Sequence, residues 1–265
     1  MLDRYNRNIT YLRISVTDRC NLRCIYCMPE GGIQLLEKER ILSFEEIAEV
    51  VKVGAGLGIK KIRLTGGEPL VRKGIVDLVE MINQIDGIEE IAMTTNGILL
   101  SKFAKQLKKA GLERVNISLD SVTPELYKKI TRGGNLDKVV EGIKAANEAG
   151  LSPVKINVVK LREEEQDTKA IKDFAAEAGA QVRFITQMDL RTGEFTQVEG
   201  GDGGNCVICN RLRLLADGTI KPCLFSNKGY NIKEYGIEEA YLKALNAKPK
   251  KGAINKVGRF YNIGG

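Results

Sequence analysis

The 265-residue chain contains no histidine and no tryptophan. Without imidazole it has no Ser-His or Cys-His nucleophile pair, no His-ligated haem, no two-His iron site and no imidazole general base. Its chemistry has to run on Cys, carboxylates, Lys/Arg or a cofactor. Aromatic side chains are scarce, with Tyr 8 and Phe 7, which leaves little stacking surface for single-stranded nucleic acid. Long apolar runs are missing as well. Nothing approaches the roughly 18 residues a membrane helix needs, and the polar stretch Met1 to Thr10 has no signal-peptide core. The expectation is a cytoplasmic protein, off the membrane, whose six Cys are reduced thiols rather than disulfides.

What remains is ordinary globular composition, 43% hydrophobic and 28% charged, with a net charge of +7. The length suits one large domain or a domain with an appendage. The positive excess hints at an anionic ligand, though such an excess is common on whole surfaces. Six strand-then-helix units follow one another. The strands read Tyr11–Thr17, Lys61–Thr65, Glu90–Asn96, Arg114–Asp120, Val154–Lys160 and Gln181–Met188. The first helix opens on the capping box Ser43-Phe44-Glu45-Glu46. The others run through 71–85, 98–110, 136–149 and 165–178. Alternation of this kind implies a parallel sheet with right-handed crossovers. Six units fall short of a closed (β/α)8 barrel, so the fold class expected is α/β, a partial, open (β/α)6 barrel of TIM type. The rhythm is lost from Asp189 onward. The barrel is therefore assigned to 1–189, with a small C-terminal region at 190–265.

Alternate residues of a strand share a face. One face reads Leu12, Ile14, Val16, then Ile62, Leu64, then Val115, Ile117, Leu119, then Ile156, Val158. The other reads Arg13, Ser15, Thr17, then Arg63, Thr65, then Asn116, Ser118, Asp120, then Lys155, Asn157, with Arg183 on the sixth strand. Apolar rows suit the helices, which leaves a polar lumen with four cations and one carboxylate, apt for an anionic ligand. Gly54-Ala-Gly-Leu-Gly58 follows a helix instead of a strand, so it reads as a helix C-terminus and not as a dinucleotide loop.

All six Cys fall in two sets of three: Cys20-x3-Cys24-x2-Cys27 and Cys206-x2-Cys209-x13-Cys223. Structural zinc is usually closed by four Cys or His ligands. With no His, each set would need a carboxylate or water as its fourth. A [4Fe–4S] cluster on three thiolates instead keeps one iron free for a non-protein ligand.

The first triplet, with Tyr26 before its last Cys, resembles the signature of the radical S-adenosylmethionine (radical SAM) superfamily. Gly66-Gly67-Glu68-Pro69, after the second strand, matches that superfamily's motif for the SAM amino group. Further segments are similar to the GTP 3′,8-cyclase family within it. They are Leu12–Pro29, Ile62–Leu70, Thr94-Thr-Asn-Gly97, Val115–Ser121, Val154–Val158, Cys209–Leu214, Asp217–Leu224 and the terminal Gly264-Gly265. The resemblance implies two [4Fe–4S] clusters, on Cys20, Cys24 and Cys27 and on Cys206, Cys209 and Cys223. SAM ligates the first and is split to a 5′-deoxyadenosyl radical that abstracts hydrogen. It implies SAM contacts at Tyr26, Gly66, Gly67, Glu68, Asn96, Ser118 and Met188. GTP contacts are implied at Arg13, Arg63, Thr94, Lys155, Arg183, Arg211, Leu212 and Arg213, and a catalytic role for the Gly264-Gly265 tail. The implied reaction converts GTP to 3′,8-cyclo-7,8-dihydro-GTP, the first step of molybdenum cofactor biosynthesis. Flavodoxin or ferredoxin is the kind of electron donor implied, and cyclic pyranopterin monophosphate synthase the enzyme that receives the product. No nucleic acid partner is expected, and a homodimer is left open.

One departure from the family is visible: the stretch between Met188 and Cys206 is shorter than is typical. Two rival readings stand beside the cyclase. One is a related radical SAM enzyme acting on a peptide or other small molecule with an auxiliary cluster. The other is a basic, metal-bound RNA-binding module.

Overall fold

The computed structural model describes residues 1–257 and 260–263. Its strands are β1 (Tyr11–Ser15), β2 (Lys61–Thr65), β3 (Glu90–Thr95), β4 (Arg114–Ser118), β5 (Lys155–Lys160), β6 (Gln181–Thr186), β7 (Arg211–Leu214), β8 (Thr219–Lys221) and β9 (Tyr230–Asn231). The helices are α1 (Phe44–Gly56), α2 (Ile75–Asn83), α3 (Leu100–Lys109), α4 (Pro124–Thr131), α5 (Leu136–Glu148) and α6 (Thr168–Glu177), then α7 (Ile232–Tyr235), α8 (Ile237–Asn246) and α9 (Phe260–Ile263).

The capping box starts α1 as expected. Ser43 Oγ accepts from Glu46 N at 3.1 Å, and Ser43 N donates to Glu46 Oε2 at 2.7 Å. The glycine-rich stretch ends the helix, with Gly54 and Gly56 in its last turn and Gly58 beyond it at φ +103.

One sheet of nine strands holds the molecule, in the order β6-β5-β4-β3-β2-β1-β7-β8-β9. Strands β1 to β6 are parallel neighbours in sequence order, the open partial barrel that the six units imply. The C-terminal region does not stand apart from it. Strand β7 pairs parallel with β1, with Leu212 beside Leu12 and Leu214 beside Ile14, so the apolar row continues unbroken. Strands β8 and β9 then add on antiparallel. Helix α4, strands β7 to β9 and helices α7 to α9 are additions to the expected elements.

The apolar row supplies the core. Leu12, Ile14, Ile62, Leu64, Val115, Ile117, Ile156 and Leu212 are fully buried with residues of α1, α2, α3 and α5. Each such side chain contributes about 1.5–3 kcal/mol on burial. The segment before the second cysteine set turns back on the outer edge of β6, where Phe184 and Glu199 exchange backbone hydrogen bonds of 3.2 and 3.0 Å. No helix among the described residues is long and apolar enough to cross a membrane.

Candidate functional site

The first cysteine set lies in the loop that leaves the C-terminal end of β1. Arg72 fixes the start of that loop by donating to Val16 O at 2.5 Å and Leu42 O at 2.6 Å, its guanidinium over the Phe44 ring. The loop is docked further on by Arg23 N to Thr131 O and Ile25 N to Ile130 O, both at the end of α4. Gly66 and Gly67 press against it from the end of β2. A Cβ on Gly66 would collide with Thr17 O, and one on Gly67 with Arg19 O. Only glycine permits that approach, and at Gly66 the φ of +144 requires it again.

Glu68 is buried and already engaged. It accepts from Asn96 N at 2.6 Å, Thr95 Oγ1 at 2.7 Å and Leu70 N at 3.1 Å, so it fastens the end of β2 to the end of β3. Burial pushes its carboxyl up to about 7, against those hydrogen bonds. Asn96 reaches the cysteine loop, donating to Asn21 Oδ1 at 2.7 Å with Cys20 Sγ at 3.9 Å. Tyr26 donates to Asp120 Oδ2 at 2.8 Å, while Asp120 Oδ1 accepts from Val159 N at 2.8 Å. Burial raises Asp120 to about 6. The thiols are also shifted upward: Cys20 by burial, Cys24 by burial and then Asp120, and Cys27 by burial and then Cys20, to about 12. Tyr26, Cys27 and Met188 line a cavity of about 670 Å³, with Arg162 and Arg191 on the same wall.

The second set belongs to the other end of the sheet. Cys206 and Cys209 precede β7, whose N-terminal end lies beside that of β1, where Asn210 O accepts from Thr10 N and Tyr11 N. Cys223 follows β8, which runs back to the same end. At about 3.3 Å per residue, the five residues of β1 leave roughly 16 Å of strand between the two ends.

The polar face spans that gap. Register places Lys221, Arg213, Arg13 and Arg63 side by side across β8, β7, β1 and β2. Thr94, Asn116 and Lys155 form a second row, and Ser118, Asn157 and Arg183 a third. Arg63 donates to Thr94 Oγ1 at 3.4 Å and, through Nε, to the Tyr11 hydroxyl. The cations oppose one another. Burial and then Arg213 hold Arg13 well below its ordinary range, and burial and then Arg211 bring Arg213 down to about 10. Lys155 and Arg183 are lowered by burial and then by neighbouring arginines. Asn116 Oδ1 is buried in the same face with no hydrogen-bond donor among the described residues.

The Leu212 side chain does not join the polar face. It has the opposite parity to Arg211 and Arg213, pairs with Leu12 and is wholly buried in the core. Gly264 and Gly265 lie outside the described residues. Residues missed from sequence fall into two kinds. Tyr11 shares the polar parity, and Lys221 belongs to a hairpin signalled by Asp217-Gly218, so alternation and turn chemistry could have found them. Arg7 and Lys248 carry no local signal and reach the second set only through the tertiary fold.

The donor chemistry suits iron–sulfur clusters. All six thiols are free and half-buried. Among the described residues no three Cys, Asp or Glu side chains converge as they would round one ion, and thiolates on a four-iron cluster each hold a separate iron.

Comparison with known proteins agrees. The sequence matches the Radical SAM superfamily over residues 14–175. The GTP 3′,8-cyclase of Thermodesulfovibrio yellowstonii is 44% identical over 94% of this chain and 95% of its own length. That of Syntrophomonas wolfei is 40% identical over the whole of both chains, in an alignment of 328 positions, so it carries residues with no counterpart here. The crystal structure of Streptococcus suis SuiB bound to S-adenosylmethionine shares the fold, with a TM-score of 0.63 at 16% identity over 94% of this chain and 66% of that one. The chain belongs to the radical SAM superfamily and, within it, to the GTP 3′,8-cyclase family.

Proposed function

We propose that this chain is a radical SAM lyase that converts GTP to 3′,8-cyclo-7,8-dihydro-GTP, the entry step of molybdenum cofactor biosynthesis. One observation carries the reading: two cysteine triplets at opposite ends of one sheet, with a cationic face between them. Cys20, Cys24 and Cys27 would hold a [4Fe–4S] cluster to which SAM binds, and Cys206, Cys209 and Cys223 a second. When bound and reduced by one electron, the first cluster with SAM would supply the carbon radical that takes hydrogen from ribose C3′; C3′ would then join guanine C8, and a second electron from the donor with one proton would complete the 7,8-dihydro product.

The chain's own part is to hold and orient. Arg13, Arg63, Arg211 and Arg213, with Lys155 and Arg183, offer the triphosphate charge-assisted and bidentate contacts. The mutual repulsion of these cations is relieved when an anion lies among them. Asn116 Oδ1 offers an acceptor to a hydroxyl or ring N–H, which removes the cost of about 1–3 kcal/mol for a buried acceptor left unmet. Thr94 steadies Arg63. Tyr26, Gly66, Gly67, Asn96, Ser118 and Met188 frame SAM, with Glu68 fixing the motif through its neighbours. Gly264-Gly265 would thread the site where a Cβ would clash. An electron donor of the flavodoxin or ferredoxin kind, delivery of product to the cyclic pyranopterin monophosphate synthase, and a cytoplasmic location complete the proposal.

The test is anaerobic reconstitution, then reductant, SAM and each nucleoside triphosphate, with products read by mass spectrometry. About eight irons per chain, four per cluster, are expected. Stoichiometric zinc with little iron would contradict the reading. Deleting Gly264-Gly265 should leave SAM cleavage but remove cyclised product. Wild-type product from that deletion would remove the tail from the site.

A further inference from the structure

Lys248 is buried to 2% exposure, deeper than any other lysine in the described residues. It follows α8, and its side chain runs into the second cysteine set. Its three ammonium protons meet three acceptors: Arg211 O at 2.6 Å, Pro222 O at 3.0 Å and Cys209 Sγ at 3.5 Å. Arg211 lies two residues after Cys209, and Pro222 directly precedes Cys223. One ammonium thus ties together both chain segments that carry these ligands.

A buried ammonium is costly unless an opposite charge meets it. Two of its acceptors are neutral carbonyls, so the sulfur of Cys209 is the group of the three able to carry the counter-charge. The first set is differently furnished. Cys20 Sγ accepts from the neutral donor Leu22 N at 3.4 Å and lies 3.9 Å from Asn96 Nδ2. Hydrogen bonds to cluster sulfurs and local charge are among the terms that set a cluster's potential. A cation on a thiolate ligand stabilises the more negative, reduced cluster.

We propose that Lys248 is a positioning residue that donates a charge-assisted hydrogen bond to the Cys209 thiolate of the second cluster and thereby raises that cluster's reduction potential. The inference rests on the reading of Cys206, Cys209 and Cys223 as cluster ligands.

The test compares the reconstituted full chain with its Lys248→Arg, Lys248→Gln and Lys248→Met variants. Iron is counted first, and each cluster's midpoint potential is then taken by reductive titration followed by electron paramagnetic resonance, with SAM added to set apart the first cluster's signal. Lys248→Met and Lys248→Gln should move the second cluster to more negative potential and leave the first where it was. Lys248→Arg should restore most of the difference. Unchanged potentials in fully loaded Lys248→Met would overturn the proposal. Failure of the wild-type chain to bind two four-iron clusters would overturn the underlying reading instead. Should the Met and Gln variants load no second cluster, alkylation of the metal-free full chain decides. Cys209 should react several-fold more slowly in Lys248→Met relative to Cys20, and an unchanged ratio would overturn the contact.

Discussion

Around Cys20, Cys24 and Cys27 the nearby ionisable groups are largely carboxylates, Glu68 and Asp120, with Arg23 the cation that acts on Cys20. Around Cys209 and Cys223 they are Lys248, Arg211 and Arg213. The effect on one thiol is opposite: Cys223 is raised by burial like the first set, with Lys248 working against it, but Cys209 is not. Burial opposes thiolate formation at both ends, yet Lys248 and then Arg211 bring Cys209 down to about 7, while Cys27 stands at about 12. Two identical donor sets are thus prepared for different company. The anionic end suits the sulfonium of SAM, and the cationic end and the face beside it suit a polyanion. The difference is made by residues that are not ligands.

The largest effect expected follows from removing ligands at one end or the other. Replacing Cys20, Cys24 or Cys27 by Ala should abolish both 5′-deoxyadenosine and cyclised product, because the SAM-binding cluster is lost. Replacing Cys206, Cys209 or Cys223 should leave 5′-deoxyadenosine forming while product disappears, since hydrogen transfer needs atoms held within about 3–3.5 Å. Assaying both products in each variant checks this. Loss of both from either set would erase the division of labour.

Next come the cations. Arg13→Ala, Arg63→Ala or Arg213→Ala should each weaken GTP binding by about 1.5–3 kcal/mol and leave guanosine binding nearly unchanged, as read by calorimetry. Gly67→Ala should cost on the order of 1–3 kcal/mol of stability through overpacking against Arg19 O, together with loss of iron from the first set only.

Asp120 sharpens the comparison by pH. Its folded-state carboxyl is raised from 3.8 to about 6 by burial, so its favourable contribution is fully present below 3.8 and is lost as pH rises through about 6. In the metal-free chain, Asp120→Asn should flatten the stability–pH profile in that window, as followed by chemical denaturation. The smallest effect lies far from both ends: Ser43→Ala should remove about 1 kcal/mol of α1 capping with no change in either product.

Local pattern made the barrel legible. Alternation named both faces, because a parallel strand carries its parity intact into the sheet, while the register that sets Arg13 beside Arg63 needed the fold. Expected strands ran two residues long at β1, β4 and β6, where the chain continues into site loops, and one residue long at β3 and β5. Strand β7 escaped because it is only four residues, Arg211–Leu214, and owes its place to β1, some two hundred residues earlier. The two cysteine triplets are legible from spacing alone, while their reading as cluster ligands comes from the family resemblance. The buried side chain of Leu212 was not legible, because a motif match carries a position without its side-chain direction. Lys248 and the Arg7 clamp, which donates to Cys206 O at 2.8 Å, are invisible before the chain has folded.

The most direct measurement is the product of the fully loaded chain. Given reductant, SAM and GTP without oxygen, it should release 5′-deoxyadenosine together with 3′,8-cyclo-7,8-dihydro-GTP, and no cyclised product from the other nucleoside triphosphates. SAM cleavage at two full clusters with GTP recovered unchanged would contradict the account.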